Sequence, residues 1–213
     1  KKRGIKLIIS IRDFPWDEPH QESLQDWVAH TQNVICKYYA ETVLVHGDPD
    51  YLPLFSDRVR MHNPSEVIEE LDEKITYTGY VCNPNIKNHK KENNHIFVST
   101  GLNKEEGMLV FKEITKIASQ FPDYKFIMPI ANRYLKNIKA KTKDNVAMVP
   151  FIEDMYKLLS SCALYITYGG YNSTMEILKS NIPAIIIPRD DGQKQEQFIR
   201  TSILKPYDFF KVC

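Results

Sequence analysis

Residues 167–176 read TYGGYNSTME and stand between two short apolar runs, ALYI at 163–166 and IPAIIIP at 182–188. Both runs are rich in β-branched residues and are bounded by turn formers, so they are predicted to be buried strands. Residues 172–180 between them fit one short helix, with three candidate cap residues: Asn172, Ser173 and Thr174. The stretch is therefore predicted to be a strand, a Gly-Gly turn, a helix and a second strand.

The predicted turn is suited to an anion, because unpaired N–H groups and the positive end of the helix dipole point out of it. Gly169 and Gly170 let the backbone approach a phosphate without a Cβ in the way, and the hydroxyls of Ser173 and Thr174 would be further donors. Glu176, one turn further on, suits a sugar diol, whose two hydroxyls a carboxylate accepts. A phosphate next to a diol suggests a nucleotide. The alternative interpretation is a glycine turn with an N-capped helix and a solvated glutamate.

The bulk composition excludes several classes of protein. The 213 residues include 28 Lys and Arg and 27 Asp and Glu, for a net charge of +1, which indicates neither a nucleic-acid partner nor a membrane-surface partner. The 4 cysteines lack CxxC spacing, which argues against a disulfide framework or a zinc site and favours a reducing compartment. No apolar run reaches the length of a membrane span. The sequence is therefore interpreted as that of a cytoplasmic protein.

Strands and helices are predicted to alternate along the chain, which is typical of α/β domains with parallel, doubly wound sheets. The predicted strands are 5–11, 42–45, 75–77, 95–99, 124–128, 145–149, 163–166 and 184–187. The predicted helices are 22–36, 64–71, 103–120, 132–140, one containing Met155, 172–180 and one from about Lys194.

One polar segment divides this alternation. Residues 83–94 have the composition of a linker, so the domain boundary is predicted there. Residues 1–82 are then part of a first Rossmann-like domain, and residues 95–213 form a second one.

Four features in a fixed order carry a resemblance to a known family: FIEDM at 151–155, the Gly-Gly stretch at 167–176, IPAIIIP at 182–188 and EQFIR at 196–200. Together they resemble the C-terminal, donor-binding half of family 28 glycosyltransferases. Upstream, three shorter motifs resemble predicted glycosyltransferases close to that family: ISIRD at 9–13, VHGD at 45–48 and TGYV at 78–81.

This resemblance implies a GT-B type fold, with two facing Rossmann-like domains. Residues 1–82 would be part of the N-terminal, acceptor-side domain, and residues 95–213 would be the C-terminal domain that binds the nucleotide-sugar donor. It also implies that the chain is a fragment of a longer enzyme.

The reaction implied by the resemblance is transfer of a hexose or hexosamine, with inversion, from a nucleoside diphosphate sugar to an acceptor hydroxyl. The expected donor nucleotide is UDP, and the acceptor is a lipid-linked or small-molecule glycan. No metal and no other cofactor is expected, because the helix start would stabilise the leaving diphosphate. A location at the inner face of the membrane is an alternative to a purely cytoplasmic one. Two other functions stay open: a noncatalytic nucleotide-sugar-binding subunit and a nucleotide-sugar 2-epimerase.

The resemblance also assigns roles to individual residues. The backbone at Phe151 and Ile152 would read the edge of the base, with Met155 beside it, although Phe151 and Met155 are alternatively core residues at a helix start. Further donor contacts are Gly101, in the turn after the first strand of the second domain, and the turn residues Gly169, Gly170, Asn172, Ser173, Thr174 and Glu176.

Two assignments stay open between several residues. The transferred sugar would be held from among Asp191, Gln193, Glu196 and Gln197. The general base would come from the N-terminal domain, where Asp13 is the candidate within this chain; its alternative role is to pair with Arg12 or to cap a helix. His46 and Asp48 are interpreted as turn residues, since no third metal ligand is close in sequence.

Overall fold

The computed structural model describes residues 6–11, 42–47, 74–88, 90–100, 105–130, 143–188, 197, 201 and 210–212. The chain divides into two compact units. The first unit comprises Lys1–Val81 and Asp190–Arg200, and the second comprises Cys82–Arg189 and Thr201–Cys213. The predicted helices at 22–36, 64–71 and 132–140 lie outside the described residues.

The first unit contains a parallel sheet of three described strands, β1 (Ile8–Ile11), β2 (Thr42–Val45) and β3 (Ile75–Tyr77), in the order β1-β2-β3. The bounds of β2 and β3 agree with the prediction, whereas β1 begins three residues later than the predicted start at Ile5. Side chains alternate between the two faces of a strand. Val43 and Val45 are accordingly fully buried on one face of β2.

The second unit contains a six-stranded parallel sheet in the order β6-β5-β4-β7-β8-β9. Its strands are β4 (His95–Ser99), β5 (Lys125–Pro129), β6 (Val146–Val149), β7 (Leu164–Thr167), β8 (Ala184–Ile186) and β9 (Phe210–Val212). The first five strands are within a residue of their predicted bounds. β9 is not predicted, because its sequence FKV contains one β-branched residue and a lysine and does not read as an apolar run.

Three helices of the second unit are described. α1 (Glu105–Ile117) continues as a 3₁₀ turn at Ala118–Gln120, α2 covers Met155–Ser161, and α3 covers Tyr171–Ser180. Asp154 caps α2, since its carboxylate accepts a hydrogen bond of 2.9 Å from the backbone N–H of Lys157.

Apolar side chains cover both faces of the six-stranded sheet. On one face, α1 packs Phe111 and Ile114 against strand residues that include Val98 and Met128. On the other face, a second cluster holds residues of β4, β7, β8, α2 and α3: Phe97, Tyr165, Ile186, Leu159 and Ile177. Burial of both faces explains why these strands read as continuous apolar runs rather than as alternating ones.

The strand order reverses between β4 and β7. From β4 the chain builds outward through β5 and β6, and it then returns to the other side of β4 to build β7, β8 and β9. Ser99 and Thr167, the last residues of β4 and β7, are paired in register. Ligands of open α/β sheets bind in the crevice outside the carboxyl ends of the strands at such a reversal. The turn after Thr167 therefore lies where a ligand site is expected in this topology.

The segment predicted as a linker belongs to the second unit and packs on α2. The backbone N–H groups of Lys90 and Glu92 donate to the carbonyls of Ser160 (2.8 Å) and Ser161 (2.9 Å), at the end of α2. Ile86 is buried. The described residues of this segment, 83–88 and 90–94, lie in no helix or strand, but the polar composition does not report these backbone hydrogen bonds. Among the described residues, no helix is long and apolar enough to cross a membrane.

Candidate functional site

The turn between β7 and α3 depends on a glycine at position 169. Gly169 has φ 74°, in the left-handed region that L side chains rarely adopt. A Cβ at this position would also lie 2.6 Å from Cγ2 of Ile186 and 3.0 Å from Cγ2 of Thr201. Both the backbone conformation and the close approach of β8 therefore require glycine here.

Gly170, rather than a hydroxyl residue, is the N-cap of α3. It has an extended conformation, with φ −62° and ψ 162°, and the helix begins at Tyr171. The prediction that Asn172, Ser173 or Thr174 caps the helix is wrong, because the helix begins one residue before the predicted start and no side chain caps it. All three lie within its first turn instead.

The hydroxyls of this first turn hold the glycine turn together. Ser173 Oγ donates to the carbonyl of Gly170 (3.0 Å), and Thr174 Oγ1 donates to the carbonyl of Gly169 (3.2 Å). The Thr174 side chain is 0% exposed, so its hydroxyl stabilises the turn and does not present a donor to solvent, contrary to the prediction.

The backbone of this turn keeps donors for a ligand. The first backbone N–H of α3 that bonds within the helix is that of Thr174, which donates to Gly170 O at 2.9 Å. The N–H groups of Asn172 and Ser173 precede it and lack an intrahelical acceptor. Together with the positive end of the helix dipole, they are suited to a phosphate.

Glu176 lies half-buried on α3, next to the hydroxyl of Tyr165 from β7. Burial raises the pKa of Glu176 to about 7, and a hydrogen bond from Tyr165 offsets part of this rise. Tyr165 is itself buried, and this burial raises the pKa of its phenol; the charge of Glu176 raises it further. Hydrogen bonds to Thr167, Ser99 and Ser173 lower the same pKa. Glu176 is thus part of a polar cluster under the start of α3 and is not a solvated surface glutamate.

Thr100 is a candidate site residue that sequence reasoning missed. It follows β4 directly, it is 3% exposed, and its Oγ1 has no hydrogen-bond partner among the described residues. A buried hydroxyl without a partner costs about 1–3 kcal/mol, so such groups in native proteins need an explanation. Because Ser99 pairs with Thr167, this hydroxyl lies at the strand end next to the glycine turn. Its position directly after a predicted strand, one residue before Gly101, was a sequence signal that could have identified Thr100 as a candidate.

The residues predicted to read the base follow β6. Phe151 is 74% exposed, whereas Ile152 and Met155 are half-buried and pack against the cluster around Phe97. The alternative core role therefore fits the side chain of Met155 but not that of Phe151. A cavity of about 370 Å³ lies along this segment and α2, and His95 and Ile127 contribute to its walls.

Five predicted site residues lie outside the described residues: Asp13, Gly101, Asp191, Gln193 and Glu196. Gln197 is in helical conformation and half-buried. Within the described ranges, no group of three or more His, Cys, Asp and Glu side chains has an arrangement that suits a metal ion.

A family model described as "Glycosyltransferase family 28 C-terminal domain" matches residues 82–199. A UDP-N-acetylglucosamine--N-acetylmuramyl-(pentapeptide) pyrophosphoryl-undecaprenol N-acetylglucosamine transferase from Lacticaseibacillus casei (strain BL23) is 29% identical over 85 residues, which cover 38% of this chain and 23% of the relative. The "Uncharacterized UDP-glucosyltransferase YojK" of Bacillus subtilis (strain 168) is 24% identical over 191 residues, 83% of this chain and 44% of the relative. The chain thus spans less than half the length of these curated relatives.

Solved structures of glycosyltransferases share the fold. Acinetobacter baumannii MurG superposes with a TM-score of 0.57 at 14% identity, over 85% of this chain and 62% of that one. Arabidopsis thaliana UGT89C1, solved in complex with UDP, superposes with a TM-score of 0.59 at 13% identity, over 98% of this chain and 53% of that one. These similarities show that the α/β fold with parallel sheets is of the GT-B type. Because the family model covers more than half of the chain, the chain belongs to glycosyltransferase family 28, whose C-terminal domain it contains.

Proposed function

We propose that the second unit binds a nucleoside diphosphate sugar at the carboxyl ends of β4 and β7, with UDP as the nucleotide. The full protein would transfer the hexose or hexosamine, with inversion, to an acceptor hydroxyl. The proposal rests on three features that meet at one strand reversal: two helix N–H groups without an acceptor in the helix, the buried hydroxyl of Thr100 and the half-buried carboxyl of Glu176. Each group suits a different part of a nucleotide.

The diphosphate would bind at the start of α3. The N–H groups of Asn172 and Ser173 and the helix dipole attract its oxygens. Gly169 and Gly170 leave the backbone accessible, and Thr100 would donate its hydroxyl to a phosphate oxygen. In the transition state the leaving diphosphate gains negative charge, so fixed donors at this position stabilise it more than the ground state. The proposed site needs no metal ion for this.

The ribose would bind to Glu176. A carboxylate accepts hydrogen bonds from two neighbouring hydroxyls, and these bonds favour its charged form over the neutral form that burial stabilises. The backbone at Phe151 and Ile152 would contact the base. The candidates for the transferred sugar stay Asp191, Gln193, Glu196 and Gln197, and Asp13 stays the candidate for the general base.

The relatives support UDP as the donor nucleotide and a lipid-linked acceptor, and a small-molecule glycan stays the alternative acceptor. One is named for transfer to a pyrophosphoryl-undecaprenol acceptor, and another is named a UDP-glucosyltransferase. An acceptor of the first kind would place the protein at the inner face of the membrane.

Titration calorimetry with UDP, dTDP, GDP, ADP and inorganic pyrophosphate tests the binding proposal. UDP should bind most tightly, and Glu176→Ala should weaken UDP by about 1–3 kcal/mol, roughly 5- to 150-fold, while leaving pyrophosphate binding nearly unchanged. Glu113→Ala, which removes an exposed carboxylate on α1, is the matched control and should bind UDP like the wild type. Equal UDP affinity in Glu176→Ala and wild type would contradict the ribose role.

A noncatalytic nucleotide-sugar-binding module is the competing function, since the chain spans less than half of its curated relatives. Release of UDP from UDP-glucose or UDP-N-acetylglucosamine by the chain alone would favour the enzyme. Tight binding of both UDP-sugars without release of UDP would favour the noncatalytic binding module.

A further inference from the structure

Three side chains of the first unit form a continuous chain of hydrogen bonds. Ser10 Oγ lies 2.7 Å from His46 Nε2, and His46 Nδ1 lies 2.7 Å from Thr78 Oγ1. Ser10 is the third residue of β1, while His46 and Thr78 directly follow β2 and β3. Three separate parallel strands therefore bring these side chains together near their carboxyl ends, where open α/β sheets place ligand-facing residues.

All three side chains project from the same face of this sheet. Ser10 pairs with Leu44, two residues before His46, and the pairing of Val45 with Tyr77 places His46 opposite Thr78. Since side chains alternate along a strand, residues an even number of positions apart share a face. Ser10 and Thr78 are exposed and His46 is half-buried, so a small molecule in solution can reach the chain of hydrogen bonds.

The tautomer of His46 sets the direction of the protons. The Thr78 hydroxyl donates to the carbonyls of Val45 (3.3 Å) and Gly79 (3.2 Å), which leaves its oxygen able to accept from an N–H on His46 Nδ1. A neutral imidazole carries one N–H. With that hydrogen on Nδ1, Nε2 has a free lone pair and accepts the hydroxyl hydrogen of Ser10.

A hydroxyl that donates to an imidazole, which a third group orients in turn, is the arrangement of an activated nucleophile. We infer that Ser10 is a nucleophilic serine that His46 activates and Thr78 positions, and that it takes an acyl group from an ester with a good leaving group. This activity lies within the first unit and is independent of the nucleotide-sugar site proposed above.

The acylation step balances within these residues and the ester. Ser10 Oγ forms a bond to the carbonyl carbon of the ester while its proton moves to His46 Nε2. The bond between the carbonyl carbon and the leaving oxygen then breaks, and His46 returns the proton to that oxygen. The products are an acylated Ser10 and a free phenol or alcohol. Thr78 carries no charge to stabilise the imidazolium, so both acylation and hydrolysis of the acyl-serine should be slow. Because the serine oxygen is a poorer leaving group than the phenol of an activated ester, hydrolysis should be the slower step, and the acyl-serine should accumulate.

p-Nitrophenyl acetate is the probe for this step. The protein is incubated with the ester, and peptide mass spectrometry measures acetylation of Ser10 and of Ser119. Ser119 is the internal reference, because it is also exposed but its hydroxyl donates to the carbonyl of Lys116 (3.5 Å) and not to a base. General-base assistance contributes about 10²- to 10⁴-fold, so acetylation of Ser10 should be at least about 100-fold faster than that of Ser119.

Variants separate the three roles. Ser10→Ala should remove the modification and the matching release of p-nitrophenol. His46→Ala should slow acetylation of Ser10 by about 100-fold or more. Thr78→Ser keeps the hydroxyl and should retain the rate of Ser10 acetylation, whereas Thr78→Val removes the hydroxyl and should lower this rate several-fold. If Thr78 had only a structural role, two variants of equal thermal stability would acetylate Ser10 at the same rate.

Acetylation of Ser10 no faster than that of Ser119 in the wild-type protein would overturn the inference, and so would an unchanged rate in a folded His46→Ala variant. If circular dichroism shows that His46→Ala does not fold, two other measurements test the inference. These are the ratio of the acetylation rates of Ser10 and Ser119 in the wild type, and the difference in Ser10 acetylation between Thr78→Ser and Thr78→Val.

Discussion

Glu176 shows how a single residue can couple ligand binding, stability and pH. Its carboxyl is held next to Tyr165 under α3, where burial favours the neutral form and raises its pKa to about 7. The same carboxyl is proposed to bind ribose in its charged form. Protonation near neutral pH should therefore act in opposite directions on folding and on ligand binding.

The stability of the protein should reveal this pKa. A carboxyl whose pKa is higher in the folded state than in the unfolded state stabilises the fold below its unfolded pKa, and this contribution is lost as pH rises through the folded pKa of about 7. Glu176→Gln should remove the contribution, which is on the order of 2–3 kcal/mol. Urea unfolding at pH 5 and pH 8 measures it: the wild type should lose more stability over this interval than Glu176→Gln. Equal losses in both proteins would contradict the raised pKa.

UDP affinity of the wild type should rise over the same pH interval, because the carboxylate is the form that accepts from ribose. In Glu176→Gln this rise should be absent. A wild-type affinity that is flat between pH 6 and pH 8 would count against direct contact between Glu176 and the ligand.

Thr100→Val separates stability from binding at the neighbouring strand end. The substitution keeps the shape of the side chain and removes a buried hydroxyl that lacks a partner among the described residues. The unliganded variant should be as stable as the wild type or more stable by about 1 kcal/mol, and its UDP affinity should be lower. Thermal unfolding with and without UDP gives both quantities. A clear loss of stability without ligand would show that the hydroxyl has a structural partner.

The turn between β7 and α3 has two glycines with different requirements. Gly169 has φ 74° and faces Ile186, whereas a Cβ on Gly170 would have only Ser173 Oγ nearby, at 3.8 Å. Gly169→Ala should therefore destabilise the protein by about 2–4 kcal/mol through backbone strain and overpacking. Gly170→Ala is the matched control and should cost about 1 kcal/mol or less. Chemical unfolding of both variants distinguishes the two positions, and similar losses would contradict the geometry of the turn.

Several elements are readable from sequence because their signals are local. The bounds of β2, β3 and β4 follow from short β-branched runs between turn formers. The start of α3 is not readable in the same way, because Gly170, Asn172, Ser173 and Thr174 are all acceptable N-caps, and the sequence does not choose between them.

The candidate site is only partly predictable for the same reason. The Gly-Gly turn and Glu176 are adjacent in sequence, so their pattern indicates a phosphate and diol site. The proximity of Glu176 to Tyr165 and the unpartnered hydroxyl of Thr100 depend on the packing of α3 and β4 against β7. Sequence spacing does not report such contacts. The packing of the predicted linker on α2 is missed because it uses backbone N–H and C=O groups, which do not depend on the amino-acid type.

At the scale of the whole molecule, the strand order predicts which strands of the second unit unfold locally least often. β4 and β7 occupy the centre of the six-stranded sheet, and Phe97 and Val98 of β4 are fully buried, on opposite faces. Their amides should therefore exchange with solvent most slowly, and those of β9 should exchange faster because it pairs only with β8 among the described strands. Hydrogen exchange measured by mass spectrometry tests this order. Faster exchange in β4 than in β9 would contradict the described topology.

The close approach of Gly169 to Ile186 also has a genetic consequence. A methyl group at 169 and the branched side chain at 186 compete for one volume, so a smaller residue at 186 should restore part of what Gly169→Ala loses. Second-site suppressors of alanine at 169 are expected to arise at 186, in the following strand, more often than within the turn itself. The two positions should then covary across natural variants as one steric unit.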